Sequence, residues 1–516
     1  MADEKEKSRT LKKIFAGGSV MFFAVIVSKV LALTYRLITG RFLGPEDYGV
    51  ITLMMTVYST VTTFAYLSIQ EGVQKYVSEY RGTGNHSRIK GTIYSGLSMI
   101  LLISSIVGIG LFLASKFIAI NIFDEKAAVW PIRFVGLSLP FLGVMKTLTN
   151  VAEGYEKMKP TAYTGQISVN VIKVALTAAL VYLGFGYLGA AFAFSFSIVC
   201  GAAIAYYFYR NIIPEEVLES EAEFNHRELA YFSAPLVAGG VFGVISRQID
   251  TYMVQYFLGT SKVGLYNAAY PFAMLVYSFS AVFSSVFMSA ASRLRSQGDK
   301  EINAEIFRSV TKWISGLSVP VFLILFFFPE TALIFFGKGY YGAAEALKIL
   351  SVGFLLSAIT GPVTDIYQAH DSTHLNFLTS AILAISNLVL NYMFIAVLGY
   401  GIEGAAIATT LSFGITAVFN VYMSYRFTGR FPFKLSTFKI WVAGVIAITV
   451  PFVISNQLFK VTPRWFFPID LALFGGLYAF MIGFGGILTQ EDRIIIEAIL
   501  RKVGLDDKYA ELLRYS

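Results

Sequence analysis

The chain has 516 residues, of which 56% are hydrophobic and only 14% charged, with a formal net charge of +8. This balance excludes a soluble globular protein of that size and places the chain in a bilayer. The basic excess collects in alternate loops, so it reports membrane topology and excludes a nucleic-acid partner.

Runs of about 20 apolar residues span the hydrocarbon core as helices, and the first of them covers 14–38. Lys5, Lys7, Arg9, Lys12 and Lys13 precede it, but secretory signal cores are only about 7–15 residues long, so it reads as a retained helix. Further windows follow near 48–70, 91–114, 128–151, 162–183 and 187–209, and a polar stretch then runs to about 228. A second series lies near 231–257, 264–289, 309–328, 343–366, 375–398 and 403–425, with two more spans near 437–456 and 466–488. The expected fold is an all-α integral membrane protein with about fourteen transmembrane helices. Its expected domains are a six-helix lobe with a cytoplasmic linker (1–220), a second six-helix lobe (221–430), two additional helices (431–490) and a cytoplasmic amphipathic tail (491–516).

An even number of spans puts both termini on one face. That face gathers the tail cations, Lys75, Arg81, Arg88, Lys90, Lys157, Lys159, Arg293, Arg295, Lys300, Arg308, Arg426, Arg430, Lys434 and Lys439, and the other has only scattered ones such as Lys116, Lys262 and Lys338. Both termini are therefore predicted to be cytoplasmic, in a multi-pass protein of the plasma membrane. Trp130, Trp313, Trp441 and Trp465 each open a span, where amphipathic rings favour the interface. The acidic run Glu215, Glu216, Glu219, Glu221 and Glu223 reads as a solvated linker or a docking point for a cytoplasmic partner.

The chain repeats itself. FLGPEDYG from Phe42 matches FLGTSKVG from Phe257, and GFGYLGAAFA from Gly184 matches GYGIEGAAIA from Gly399, both at a spacing of 215 residues. A unit of six spans inserts each copy in the same orientation, which predicts two lobes related by an axis along the membrane normal.

The segments GRFLGPEDYGVITL after the first helix, VQKYVSEYRG after the second and SRQIDTYMVQYFLGTSKVGLYNAAYPF in the second half resemble the polysaccharide-exporter (Wzx-type) branch of the superfamily that also holds multidrug extruders and peptidoglycan-precursor flippases. The resemblance covers roughly residues 10–430. It implies translocation of a polyprenyl-phosphate- or pyrophosphate-linked glycan by alternating access, for surface polysaccharide or glycoprotein biosynthesis. It leaves open coupling to an H+ or Na+ gradient and association with glycan-assembly enzymes.

A charge at bilayer depth costs at least about 2.5–3.5 kcal/mol on insertion scales, so each one marks a candidate position on the substrate path. Lys29 and Arg36 lie on nearly one face of the first helix, Lys146 and Asn150 form an i, i+4 pair in the fourth, and Lys173 lies mid-fifth, where Gln166 is a polar companion. Arg247 and Asp250 are an i, i+3 pair in the seventh that either lines the path or neutralises itself. The expected substrate-binding set is Lys29, Arg36, Lys146, Asn150, Gln166, Lys173 and Arg247. Asp250, Gly361, Pro362 and Asp365 are candidates for ion coupling or gating, the Gly-Pro pair as a bend in the tenth helix. Lys29 and Lys173 are too deep to snorkel easily, whereas Arg36 and Asp365 lie near helix ends.

The repeat spacing pairs Asn150 with Asp365, Lys146 with Gly361 and Lys173 with Leu388, so the cationic excess lies in the first lobe. Fixed positive charge suits a phosphate and repels a cationic drug, the cargo of the alternative reading as a multidrug/cation antiporter. A membrane glycosyltransferase or polymerase, the other alternative, needs a large outer loop, and every outer loop here is short. No P-loop, nucleophile elbow or catalytic metal signature occurs, so the sequence predicts a transporter, not an enzyme, with no cofactor and no metal. The lone Cys200 and the His370/His374 pair read as a packing residue and a polar loop.

Overall fold

The computed structural model describes residues 2–296, 300–369, 372–458 and 466–487. The predicted amphipathic tail, His370, Lys460, Arg464 and Trp465 lie outside the described residues. Helix accounts for nearly all the rest. The chain divides into two compact units, Met1–Asn267 and Ala268–Ser516.

The first unit contains α1 (Ala2–Tyr66), α2 (Ile69–Thr83), α3 (His86–Phe117), α4 (Val129–Gly154), α5 (Met158–Thr161), α6 (Val169–Tyr182), α7 (Gly186–Arg210), α8 (Glu215–Glu219) and α9 (His226–Leu258), and ends inside α10 (Thr260–Ser296). α1 is two helices joined at Gly44, whose φ of 80° and ψ of 174° interrupt the spiral just before Pro45. Its membrane candidate, Phe23–Tyr66, is 44 residues long, about 66 Å at 1.5 Å per residue, or roughly two crossings of a 30 Å core. Around it α3 packs on α4, and α4 and α6 pack on α7. Their shared core is built from Ile51 and Met54 of α1, Leu139 and Met145 of α4, and Ala190 and Phe194 of α7.

The repeat is visible in the backbone of this unit. Gly259, 215 residues after Gly44, has φ 85° and ψ 174°. The next equivalent pair, Gly49 and Gly264, then pack reciprocally: a Cβ on Gly49 would lie 2.1 Å from the Thr260 carbonyl oxygen, and one on Gly264 would lie 1.9 Å from that of Pro45. Two repeat-equivalent segments thus cross backbone to backbone, a closeness that only glycine permits. Gly184 and Gly399 also share a positive φ, 89° and 69°, at the turns leading into α7 and its later counterpart.

The polar stretch after α7 carries exposed carboxylates, as its composition predicts, but its backbone is docked and not merely solvated. Lys90 Nζ donates to the carbonyls of Leu218 and Ser220 at 2.6 and 2.7 Å, closing the C-terminus of α8. Arg88 pairs with Glu223 at 2.9 Å, and Ile212, Ile213 and Val217 are buried against α2 and α3.

The second unit contains the rest of α10, then α11 (Lys300–Phe327), α12 (Pro329–Leu333), α13 (Ala344–Thr360), α14 (Val363–Ala369), α15 (Thr373–Asn391), α16 (Gly401–Thr428), α17 (Leu435–Leu458) and α18 (Phe467–Phe484). α13 and α15 pack on α16, and α11 on α13 and α17. α17 and α18 form the additional pair, joined by the Ser455 hydroxyl donating to the buried Asp470 carboxylate at 2.7 Å. Buried Lys312 of α11 ties this pair down by donating to the Ile487 carbonyl at 2.9 Å beyond the end of α18, where a cation also meets the negative end of the helix dipole. Among the described residues, ten helices are long and apolar enough to cross a membrane, and Phe467–Gly483 is a shorter apolar helix.

Lys434 donates to Glu305, joining the segment before α17 to α11 outside the membrane spans. This hydrogen bond holds the Glu305 carboxyl below the usual carboxylate range. A depressed folded-state pKa contributes stability above the ordinary Glu value near 4.3, and that contribution is lost as pH falls through the folded value. Glu305→Gln should therefore lower thermal stability at pH 7 by less than about 1 kcal/mol, the range of exposed pairs. It should also flatten the acid limb below pH 4, measured by melting the purified protein in detergent across pH.

Candidate functional site

All five sequence-predicted cations, Lys29, Arg36, Lys146, Lys173 and Arg247, lie in the first unit, and Lys173 is the one with a built environment. It follows a π-helical stretch, Ala162–Ser168, which widens the helix at the turn before α6. Lys173 is only 9% exposed. Its Nζ donates to Asn170 Oδ1 at 2.8 Å and sits over the rings of Tyr35, 5.1 Å to the centroid, and Phe194, 5.5 Å. Asn170 is itself fixed, its Nδ2 donating to Ser28 Oγ at 3.1 Å and to the Gln166 carbonyl at 2.8 Å. The Tyr35 hydroxyl donates to the Ala190 carbonyl at 3.4 Å, and Tyr58 meets Phe194 edge-on at 5.0 Å.

Every partner of the ammonium is neutral: an amide oxygen and two π faces. Among the described residues, no carboxylate forms an ion pair with Lys29, Arg36, Lys146, Lys173 or Arg247. Arg36 acts electrostatically on Lys173 and adds like charge. An aromatic cage attracts a cation but leaves its charge uncompensated, so the site has the electrostatics of an anion receptor.

The structure thus gathers Lys173, Ser28 and the backbone of Gln166 around Asn170, with Arg36 acting on Lys173 electrostatically. Lys29, next to Ser28, is exposed, and Arg36 is half-buried. Lys146 and Asn150 are half-buried on α4, where Asn150 Nδ2 donates to the Lys146 carbonyl at 2.9 Å. Arg247 is exposed, and buried Asp250 accepts from the Tyr266 hydroxyl at 2.9 Å. Self-neutralisation of that i, i+3 pair is therefore not what the structure has. In the second unit, Gly361 and Pro362 separate α13 from α14, and Asp365 is buried in the first turn of α14. The sequence reading missed Ser28, Tyr35, Asn170 and Phe194. Asn170 had a readable signal, its i, i+3 spacing to Lys173, whereas the other three are brought in by tertiary packing alone.

The family model for "Polysaccharide biosynthesis protein" matches residues 14–295, more than half of the chain. The chain belongs to this family. A second model, MatE, matches residues 235–393. Stage V sporulation protein B of Bacillus subtilis is 21% identical over 421 residues, covering 77% of this chain and 81% of that protein. The probable low-salt glycan biosynthesis flippase Agl15 of Haloferax volcanii is 24% identical over 391 residues, covering 74% and 77%. Among solved structures, lipid II flippase MurJ in an inward closed conformation superposes with a TM-score of 0.70 at 16% identity, covering 95% of this chain and 99% of that one. The fold of this member of the polysaccharide biosynthesis protein family is thus that of a multi-pass membrane transporter.

Proposed function

We propose that the protein is a flippase that moves a polyprenyl-phosphate- or pyrophosphate-linked oligosaccharide across the cytoplasmic membrane, for surface polysaccharide or glycoprotein biosynthesis. The observation that carries this reading is the buried ammonium of Lys173, held by neutral groups and reinforced by Arg36. A phosphate compensates both charges, and a cationic cargo is repelled by them. The family match and the likeness to proteins named as flippases support the same cargo class. In this reading the chain acts as a transporter and not as an enzyme.

Fourteen crossings with cytoplasmic termini and alternating access of the two six-helix copies complete the proposal. Lys29, Lys146 and Arg247 extend the cationic path, Asn150 and Gln166 accommodate sugar, Asp250 and Asp365 serve an H+ or Na+ gradient, and the Gly361-Pro362 break lets its helix bend. Glycan-assembly enzymes supply the cargo. The MatE match favours a second reading, export of organic cations, in which carboxylates such as Asp250 and Asp365 contact the cargo.

Asn170→Asp separates the two. It preserves shape but places a carboxylate at the amide oxygen 2.8 Å from Lys173 Nζ, neutralising the ammonium within the protein. Flipping in reconstituted vesicles should fall at least about tenfold, the equivalent of 1.4 kcal/mol, with thermal stability unchanged or raised. Unaltered flipping of a polyprenyl-diphosphate glycan, or a gain in organic-cation export with no loss of flipping, would sink the phosphate-site reading.

A further inference from the structure

The first unit holds an apolar cavity of about 480 Å³, lined among others by Val57, Val61, Leu111, Ile118, Phe123 and Tyr252. This volume lies in the range of specific small-molecule pockets. Two of the wall's hydroxyls, those of Thr60 and Tyr252, bond each other at 2.7 Å, and the rings of Phe123 and Tyr252 stack at 6.0 Å. Water, which needs two to four polar partners, finds few along so apolar a wall. Val57, Leu111 and Phe123 at the back are buried, whereas Ile122 and Tyr256 at the mouth are 46% and 71% exposed. Val57, Val61 and Leu111 lie within the apolar spans Phe23–Tyr66 and His86–Ile122, and Ile122 at the mouth is the last residue of the second, so the wall is built from spanning helices and the cavity opens at the end of one. Its chemistry selects hydrocarbon.

The choice of hydrocarbon follows from what lies behind the wall. Tyr58 stands between Val57 and Val61 in sequence and meets Phe194 edge-on at 5.0 Å, and Phe194 is one of the two rings under Lys173. The cavity and the cation cage are thus joined through one turn of α1 and a single aromatic pair. We infer that the cavity receives the isoprenoid chain of the lipid carrier while the carrier's phosphate is held at Lys173. The identity of the carrier rests on the flippase reading; the hydrocarbon chemistry of the cavity does not. Transfer from bilayer to cavity brings little hydrophobic gain, because lipid tails are as apolar as the lining. Selectivity comes instead from shape, through dispersion contacts that a chain of the right girth makes and others lose.

The test is photolabelling of the full chain in vesicles with a diazirine-bearing polyprenyl phosphate, followed by peptide mapping. Labelling should fall on 57–61, 118–123 or 252–257, and unlabelled polyprenyl phosphate should compete at least tenfold better than phosphatidic acid, which shares its charge. Val61→Trp and Leu111→Phe, two independent ways to fill the cavity, should each reduce this labelling at least fivefold. Equal competition by phosphatidic acid identifies an ordinary bilayer acyl chain and overturns the inference, as does labelling only elsewhere. A parallel arm with uncharged diazirine-polyprenol keeps the two readings apart. If it labels the same peptides while no lipid-linked glycan is flipped, the cavity assignment stands and the flippase reading fails. If flipping proceeds while neither probe labels them, the cavity assignment alone fails.

Discussion

Lys173→Gln should lower flipping of a polyprenyl-diphosphate oligosaccharide by about 10–100-fold, because a hydrogen bond to a charged group contributes about 1.5–3 kcal/mol. Folding should respond in the opposite sense. Lys173 is buried among neutral groups, so removing its charge relieves desolvation that no carboxylate repays, and the variant should melt at the same temperature or higher. A structural lysine would behave differently, losing stability and activity together. Lys29→Gln, at an exposed position, should change flipping by no more than about threefold, since exposed pairs contribute about 0–1 kcal/mol. Parallel measurements of flipping and melting on the three proteins check the whole pattern.

The glycine crossing gives the second large effect. A methyl on Gly264 would lie 1.9 Å from the Pro45 carbonyl oxygen, and one on Gly49 would lie 2.1 Å from that of Thr260. Both contacts are with backbone, which cannot swing aside, so Gly264→Ala or Gly49→Ala must push the two segments apart. Overpacking of this kind costs about 1–3 kcal/mol. In the proposed alternating access, these segments lie at the outer end of the repeat copies, and the cost falls only on the state in which they touch. Either variant should therefore shift the population toward the state in which they part by about 5–150-fold and slow transport by at least tenfold. Val263→Cys, at a fully buried position beside Gly264, reports it in a Cys200→Ser background. Impermeant maleimide added outside should react at least tenfold faster when Gly49→Ala is also present. Wild-type labelling and transport in both alanine variants would remove the crossing from the mechanism.

The helices, the break at Gly44 and its copy at Gly259 are written in local chemistry: apolar runs of spanning length, Gly-Pro punctuation and a shared spacing of 215 residues. Lys173 was legible for a similar reason, since a charge in an apolar run carries an insertion cost whatever surrounds it. Its cage was not. Ser28 reaches Asn170 across 142 residues of chain, and Phe194 arrives on a different helix, with nothing in its own segment to separate it from a lipid-facing ring. The docked linker was hidden differently: its acidic residues do face solvent, and the carbonyls that Lys90 grips at Leu218 and Ser220 carry no side-chain identity to read. Arg247 and Asp250 show the limit of helical spacing, which made them partners, while packing left Arg247 exposed and gave Asp250 the Tyr266 hydroxyl.

The most direct test uses purified protein in vesicles carrying a fluorescent polyprenyl-diphosphate oligosaccharide, with a membrane-impermeant glycosidase outside to report the fraction of glycan that has crossed. Wild-type protein should raise the accessible fraction from the outer-leaflet half toward completeness. Asn170→Asp and Lys173→Gln should each slow that rise at least tenfold while inserting and melting normally. A wild-type rate in both variants would contradict the account, because a phosphate site built on an uncompensated lysine cannot survive the loss of its charge.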